Sequence, residues 1–293
     1  MNEPPASSSD VERYRPRLFG IAYRMLGRVH DAEDVVQEGM LRWQQTDRTI
    51  VREAEAWLVS VVTRIAIDRL RRATREREAY PGPWLPEPVA DDRFAADRSA
   101  ELASDLSMAF LVLLERLAPE ERAAFLLREV FDADYDEIAR TLEKTPAAVR
   151  QTVHRARERI RIDRSRFSVP GDAKERLFAR FVAALERDDR DELLAVLAPD
   201  ATWTSDGGGK VTTARRTVRG GEAIARMLLG IETKYSHPFS YRMGHMNGEP
   251  VVMMYRNGAV FGVTHCETDG DRIFALYRVM NPDKLGEVAL TVE

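Results

Sequence analysis

The stretch YDEIARTLEKTPAAVRQTVHRARERIR, residues 135–161, describes two helices separated by a very short turn. Thr145 can cap the second helix and Pro146 can occupy its first position, where a missing N–H costs nothing. From there Val149, Val153, Ala156 and Ile160 recur at three and four residues and make one apolar face. Arg150, Gln151, His154, Arg155, Arg157 and Arg161 are left for the other faces. Between Pro146 and Ile162 only Glu158 is acidic, whereas a helix that merely met solvent would mix Glu with its Arg. This pattern suits a helix-turn-helix whose second helix enters the major groove, with Arg and Gln on base edges and further Arg on phosphates. His154 reads as a base or phosphate contact; no second histidine or cysteine stands three or four residues away to make a metal site with it.

Charge along the chain supports the same reading. Residues 138–171 carry 9 Lys/Arg against 3 Asp/Glu, and the preceding residues 80–137 carry 5 against 14, within a chain of net charge −4. A basic helix beside an acidic stretch suggests a nucleic-acid face that its own chain can mask. Upstream of the helix-turn-helix, Leu102, Leu106, Phe110, Leu113 and Leu117 keep helical spacing, and LAPEERAAFLLREVF restarts a helix at Pro119. Further back, Leu18, Ile21, Ala22 and Met25, then Val35, Val36 and Met40, mark two helices broken around Gly27 to His30, with Asp31 as the expected N-cap of the second and Asp34 as its capping partner. Trp57, Leu58, Val61, Val62 and Ile65 mark a third, running on into Arg69, Arg71 and Arg72.

Between these helical blocks lies PGPWLPEP, residues 81–88. Its four prolines exclude helix interior and central strand, so it runs extended. A purely flexible linker has no use for Trp84 and Leu85. Beyond SVPGD (168–172) two helices, AKERLFARFVAALERDD and DELLAVLA, precede β-like runs: ATWTSD, TARRTVRG, PFSYRMGHMNG and the segment from Glu249 to Met280. Alternation and the Asn-Gly and Asp-Gly turns predict a curved antiparallel sheet covered by helices, an α+β domain.

The 293 residues are enough for two or three domains. A single cysteine, Cys266, excludes an internal disulfide and a Cys-rich metal site. The N-terminus has no basic or apolar leader and no apolar run is long enough to span a bilayer, so a cytoplasmic protein without membrane contact is expected.

DAEDVVQEGMLRW (31–43), EAWLVSVVTRIAIDRLRR (55–72) and the helix-turn-helix resemble, in this order, regions 2.2, 2.3 to 2.4 and 4.2 of bacterial RNA polymerase sigma factors. With regions 1.1 and 3 absent, the resemblance is to the extracytoplasmic-function (ECF) group. GPWLPEP, DGGGK (206–210) and NPDKL (281–285) resemble the subgroup with a C-terminal SnoaL-like domain. The fold class implied is multidomain: two all-α sigma domains, a region 2 helical bundle (10–79) and a region 4 helix-turn-helix (101–166), then an α+β SnoaL-like cone (173–293). A Pro-rich and acidic linker, 80–100, joins the first two.

The resemblance implies a non-catalytic subunit that directs core RNA polymerase to promoters, and no cofactor, metal or catalytic residue. Asp34, Gln37, Glu38 and Arg42 would bind core enzyme, whose β′ clamp and β flap are the implied contacts. Arg64, Asp68, Arg69, Arg71 and Arg72 would meet the minus-10 element, with a flipped base held by the loop 45–53. Arg150, Gln151, His154 and Arg155 would read the minus-35 element. In most such units a glycine ends the first helix of the helix-turn-helix; here Glu143 does, at a cost of about 1 kcal/mol in a left-handed conformation.

Trp203, Asp206, His237, Tyr241, His245, Tyr255 and His265 could line an apolar pocket of the cone, but three glycines after Asp206 argue for close backbone approach rather than catalysis. The linker is expected to dock on the cone through Trp84, Leu85 and Glu87, against Asp206 and Lys210 of the first motif and Asn281, Asp283 and Lys284 of the second. Lys210 is the expected partner of Glu87. With such a built-in regulator, no obligatory anti-sigma factor is expected. Two rivals remain at this stage: a SnoaL-type enzyme with a DNA-binding module, and a ligand-sensing helix-turn-helix regulator that never touches polymerase.

Overall fold

A computed structural model describes residues 11–91, 106–164, 169–234 and 239–288, apart from Arg48, Ile50 and Glu287. They form two compact units, one holding the described residues up to Glu78 and from Leu113 to Asp163, the other those of 79–92, 106–112 and from 164 onward. Among the described residues no helix is long and apolar enough to cross a membrane.

In the first unit α1 (Arg15–Leu26), α2 (Val29–Gln45) and α3 (Ala54–Glu78) pack as a bundle. Leu18, Ile21, Met25, Val35, Trp43, Leu58, Val62 and Leu70 fill it, as their spacing requires. Gly27, at φ 69°, closes α1 with its N–H on the Tyr23 carbonyl. Because that closure takes a single residue, α2 restarts at Val29, with Arg28 rather than Asp31 before it and no side-chain cap. Asp31 instead lies in the first turn, 3.2 Å from Arg69.

The helix α4 (Met108–Leu114) begins after Leu102, which lies outside the described residues. Next come α5 (Pro119–Glu129), α6 (Tyr135–Leu142) and α7 (Pro146–Arg164). Asp134 caps α6 through the Glu137 N–H at 2.7 Å, and Thr145 caps α7 through the Ala148 N–H at 3.2 Å. Glu143 takes the left-handed conformation (φ 54°, ψ 43°), so the helix-turn-helix keeps its turn without glycine. Val149, Val153, Ala156 and Ile160 are all buried.

Within this unit an ion cluster ties the segment before the helix-turn-helix to the bundle. Glu115 sits between Arg77 and Arg122, its carboxylate bonding both guanidinium groups. Those arginines also donate to the Leu26 and Met25 carbonyls at 2.7 Å each, satisfying acceptors that the end of α1 leaves open. Burial opposes the Glu115 charge, but the two arginines outweigh it and hold the carboxyl below its usual range.

In the second unit α8 (Gly171–Glu186), α9 (Arg190–Val196) and α10 (Gly221–Lys234) cover a six-stranded sheet. The strands are β1 (Leu197–Asp206), β2 (Val218–Arg219), β3 (Phe239–Met246), β4 (Glu249–Arg256), β5 (Ala259–Thr268) and β6 (Ile273–Val279), in the order β2-β1-β6-β5-β4-β3. Two expectations are corrected. The sheet is mixed, since β1 runs parallel to β6, and TARRTVRG contributes only the two residues of β2. Alternation reveals which face a residue takes but not the direction of the neighbouring strand.

The sheet buries both faces. Phe178, Phe181, Trp203, Ile224, Val252, Cys266 and Leu276 form the core beneath the helices. Val251, Met253, Tyr255, Val263 and Val279 form the other, against Leu85, Ala90, Met108, Leu285 and Val288. The proline segment therefore supplies part of a core.

His265 lies wholly buried on β5 with neither ring nitrogen hydrogen-bonded among the described residues, and burial lowers its pKa to about 3. A histidine with a folded pKa below its unfolded one, about 6.5, contributes stability above pH 6.5 that is lost as pH falls toward 3. We expect the melting temperature of the second unit to fall across that window in the native protein, and His265→Gln to flatten this part of the profile. Equal slopes for the two proteins by calorimetry would contradict the assignment.

Candidate functional site

Two chain-distant motifs meet because β1 and β6 are parallel neighbours. Asp206 pairs in register with Val279, so DGGGK leaves the sheet beside NPDKL. At that shared end Asp206 is 0% and Lys284 2% exposed, with Nζ 2.7 Å from Oδ2.

The linker closes over this pair. Leu85 donates its N–H to Asp206 Oδ2 at 2.9 Å, and its carbonyl accepts from Lys284 Nζ at 2.6 Å. Tyr80 donates its hydroxyl to Asp206 Oδ1 at 2.6 Å and accepts from Asn281 Nδ2 at 2.9 Å. The Lys284 ammonium stands 4.1 Å from the centre of the Trp84 ring and 5.3 Å from that of Tyr80, in cation–π contact with both. The Gly208 N–H adds a further bond to Asp206 at 3.0 Å. A desolvated carboxylate and ammonium are tolerable because their remaining donors and acceptors find partners of this kind.

All three glycines allow close approach, Gly207 to the Val211 carbonyl and the other two to the second motif and the linker. Gly208 and Gly209 have φ of 60° and 71°; a Cβ on the first would fall 2.4 Å from the Asn281 side chain, and on the second 2.6 Å from Pro81. Trp84, Leu85, Asp206, Asn281 and Lys284 thus converge. The expected Glu87–Lys210 pair is corrected: Lys210 binds Asp283 at 2.7 Å on an exposed rim, while Glu87 is buried elsewhere in the segment. Tyr80 was missed in the sequence, although an aromatic immediately before the prolines was a usable signal.

The residues grouped as one pocket do not share one. Trp203 and Tyr241 belong with the helix-side core and Tyr255 with the opposite face. His245 is exposed beside Glu175 at 3.1 Å, and His237 lies outside the described residues. Trp203 is covered by the Arg278 guanidinium at 4.5 Å.

In the first unit Asp34, Gln37, Glu38 and Arg42 share one face of α2, as the helical period demands. Glu38 and Arg42 bind each other at 2.6 Å, and Asp34 is held by Arg69 at 2.8 Å. Leu41, 48% exposed, lies among them; its place on the same face was the signal missed. Arg150, Gln151, His154 and Arg155 are all exposed on α7, with Arg150 stacked 5.3 Å from the Tyr135 ring centre. Arg157 and Arg159 are instead engaged by Glu129 and Glu121, at 2.6 Å each.

On α3, Arg64 donates to the Thr141 and Arg140 carbonyls at 2.8 and 2.9 Å and pairs with Glu143 at 2.9 Å. Arg71 reaches Asp68 at 2.9 Å and Glu120 at 2.6 Å; Arg72 is exposed. Arg71, Glu120, Lys144, Thr152 and Arg155 line an open cleft of about 230 Å³. The minus-10 and minus-35 candidates therefore meet within one unit.

The chain matches the family models Sigma-70 region 2 over residues 11–76 and Sigma-70, region 4 over residues 107–160. It is 38% identical to the ECF RNA polymerase sigma factor SigJ of Mycobacterium tuberculosis, over 94% of this chain and 92% of that one. The probable ECF RNA polymerase sigma factor SigI of the same species is 29% identical over 97% of both. The crystal structure of Mycobacterium tuberculosis SigJ superposes with a TM-score of 0.77 at 34% identity, covering 96% of this chain and 99% of that one.

Removing the Asp206 carboxylate strands a buried ammonium. Asp206→Ala is expected to destabilise the second unit by about 3–5 kcal/mol in urea unfolding, and Asp206→Ala with Lys284→Met to recover most of that loss. A double variant as unstable as the sum of the two singles would show that the pair is not coupled.

Proposed function

The chain belongs to the ECF RNA polymerase sigma factors, and we propose that its C-terminal cone regulates promoter recognition in cis by holding the linker between the two sigma regions. A sigma factor directs core polymerase to promoters, so core enzyme and promoter DNA are its partners. The observation that supports cis regulation is the buried Asp206–Lys284 pair, which bonds Leu85 and Tyr80 of the linker.

In this reading Asp34, Gln37, Glu38 and Arg42, with Leu41 between them, form the core-enzyme contact on the β′ clamp, and region 4 meets the β flap. Arg64, Arg69, Arg71 and Arg72 serve the minus-10 element; Arg150, Gln151, His154 and Arg155 serve the minus-35 element. Arg64 cannot bind DNA while it caps α6, so its release belongs to activation. The domain limits 10–79, 80–100, 101–166 and 173–293 follow from the same assignment. The cone acts without catalysis, because Asp206 is committed to the linker, and it takes the part that a separate anti-sigma factor plays elsewhere.

Run-off transcription with core enzyme tests this reading. Asp34→Ala with Glu38→Ala should abolish co-purification with core polymerase. Arg150→Ala should cost about 1–3 kcal/mol of promoter affinity and relax specificity at one base pair. Trp84→Ser with Leu85→Ser should change promoter output with the first unit still folded. Unchanged output from that last variant would count against cis regulation, whereas undiminished core binding by the first would refute the α2 contact.

A further inference from the structure

The hairpin between β3 and β4 turns at Asn247-Gly248, both at positive φ (56° and 72°), the backbone that a two-residue turn of this kind requires. Such a tip ordinarily meets water. Here Asn247 is 0% exposed and Glu249, the next residue but one, is 8% exposed. What covers them is the linker and the start of the region 4 segment. Asn247 donates its N–H to the Val89 carbonyl at 2.8 Å and receives the Val89 N–H on Oδ1 at 3.0 Å, a two-way exchange like that between paired strands. The Gly248 N–H binds Asp91 Oδ1 at 2.7 Å.

Glu249 continues the grip with its two oxygens in different directions. Oε2 accepts the Met108 N–H at 3.3 Å, and Oε1 accepts Lys174 Nζ at 2.7 Å. Met108 is the second residue of the segment 107–160 matched to region 4, and Lys174 follows that segment's end on α8. One carboxylate therefore ties the chain as it enters region 4 to α8, the first helix of the cone. Burial raises the Glu249 pKa, with Lys174 acting against that, so the charge is held at a cost. His265 Nδ1 lies 4.0 Å away. A hairpin needed only to close the sheet has no reason to bury an acidic residue at its mouth, and a register-fixing role is the better-attested use of such a group.

We propose that Asn247 and Glu249 are positioning residues, a second latch that fastens the far end of the linker and the start of the region 4 segment to the cone. This rests on the sigma-factor reading and deepens its regulation. The first anchor grips residues 80–85; the second grips 89–91 and Met108, with Lys174 of α8 holding the other Glu249 oxygen, so the linker is fixed at both of its described ends.

Hydrogen exchange on the full chain, alongside run-off transcription with core enzyme, tests the latch. Glu249→Ala, and separately Asn247→Gly, which keeps the turn but removes the Val89 acceptor, should raise exchange at least tenfold in peptides covering 86–91 and 106–112. Strands β5 and β6 should exchange as in the native protein, and promoter output should change. If Glu249→Ala fails to fold, Asn247→Gly carries the result. Native exchange in both of these peptides, or an equal rise across β5 and β6, would overturn the proposal by showing no latch or a residue needed only for the cone's own fold. Loss of all promoter-dependent transcription by the native chain would instead strike the sigma-factor reading, since the exchange measurement does not depend on it.

Discussion

The bond on which the second unit depends is the one between Asp206 and Lys284. Two opposite charges withdrawn from water are stable only when the rest of their hydrogen-bonding capacity is met. The cone meets part of it through Gly208. The linker meets the remainder through Tyr80, both backbone groups of Leu85 and the Trp84 face. Undocking the linker would replace these bonds by water, so docking contributes to the stability of the pair. The parallel pairing of β1 with β6 is what brings the two halves of that pair to one place.

Charge organises the first unit in a related way. The acidic residues after the linker engage basic groups: Glu115 with Arg77 and Arg122, Glu120 with Arg71 and Lys144, Glu121 with Arg159, Glu129 with Arg157. Among these only Arg122 is fully buried; the exposed pair of Arg71 with Glu120 is worth roughly 0–1 kcal/mol and weakens with salt. Glu143 fits this pattern, since the left-handed position that favours glycine instead carries a carboxylate for Arg64.

Much of this was legible in the sequence, and what was not has physical reasons. The helix-turn-helix could be read because its caps, its proline and its apolar stripe are all local. The convergence of Trp84, Leu85, Asp206, Asn281 and Lys284 was expected from the resemblance together with the odd apolar tip of a proline strut. The direction of β1 was not legible, because alternation is the same in parallel and antiparallel strands. Asp31 failed as a cap because the single left-handed Gly27 brought the helix start forward. Lys210 failed as the partner of Glu87 because Asp283 in the adjacent motif was nearer than any linker residue suggested. Asn247 and Glu249 looked like an ordinary hairpin turn, and only the fold reveals that it is covered.

The claim at the centre is that the free protein holds its linker against the cone through the Asp206–Lys284 pair. Amide exchange at Leu85, read residue by residue by NMR in the full chain without polymerase, addresses it directly. The account predicts that this N–H, bonded to a buried carboxylate, exchanges as slowly as those of β5 and β6. Exchange at the rate of an unfolded peptide would contradict it.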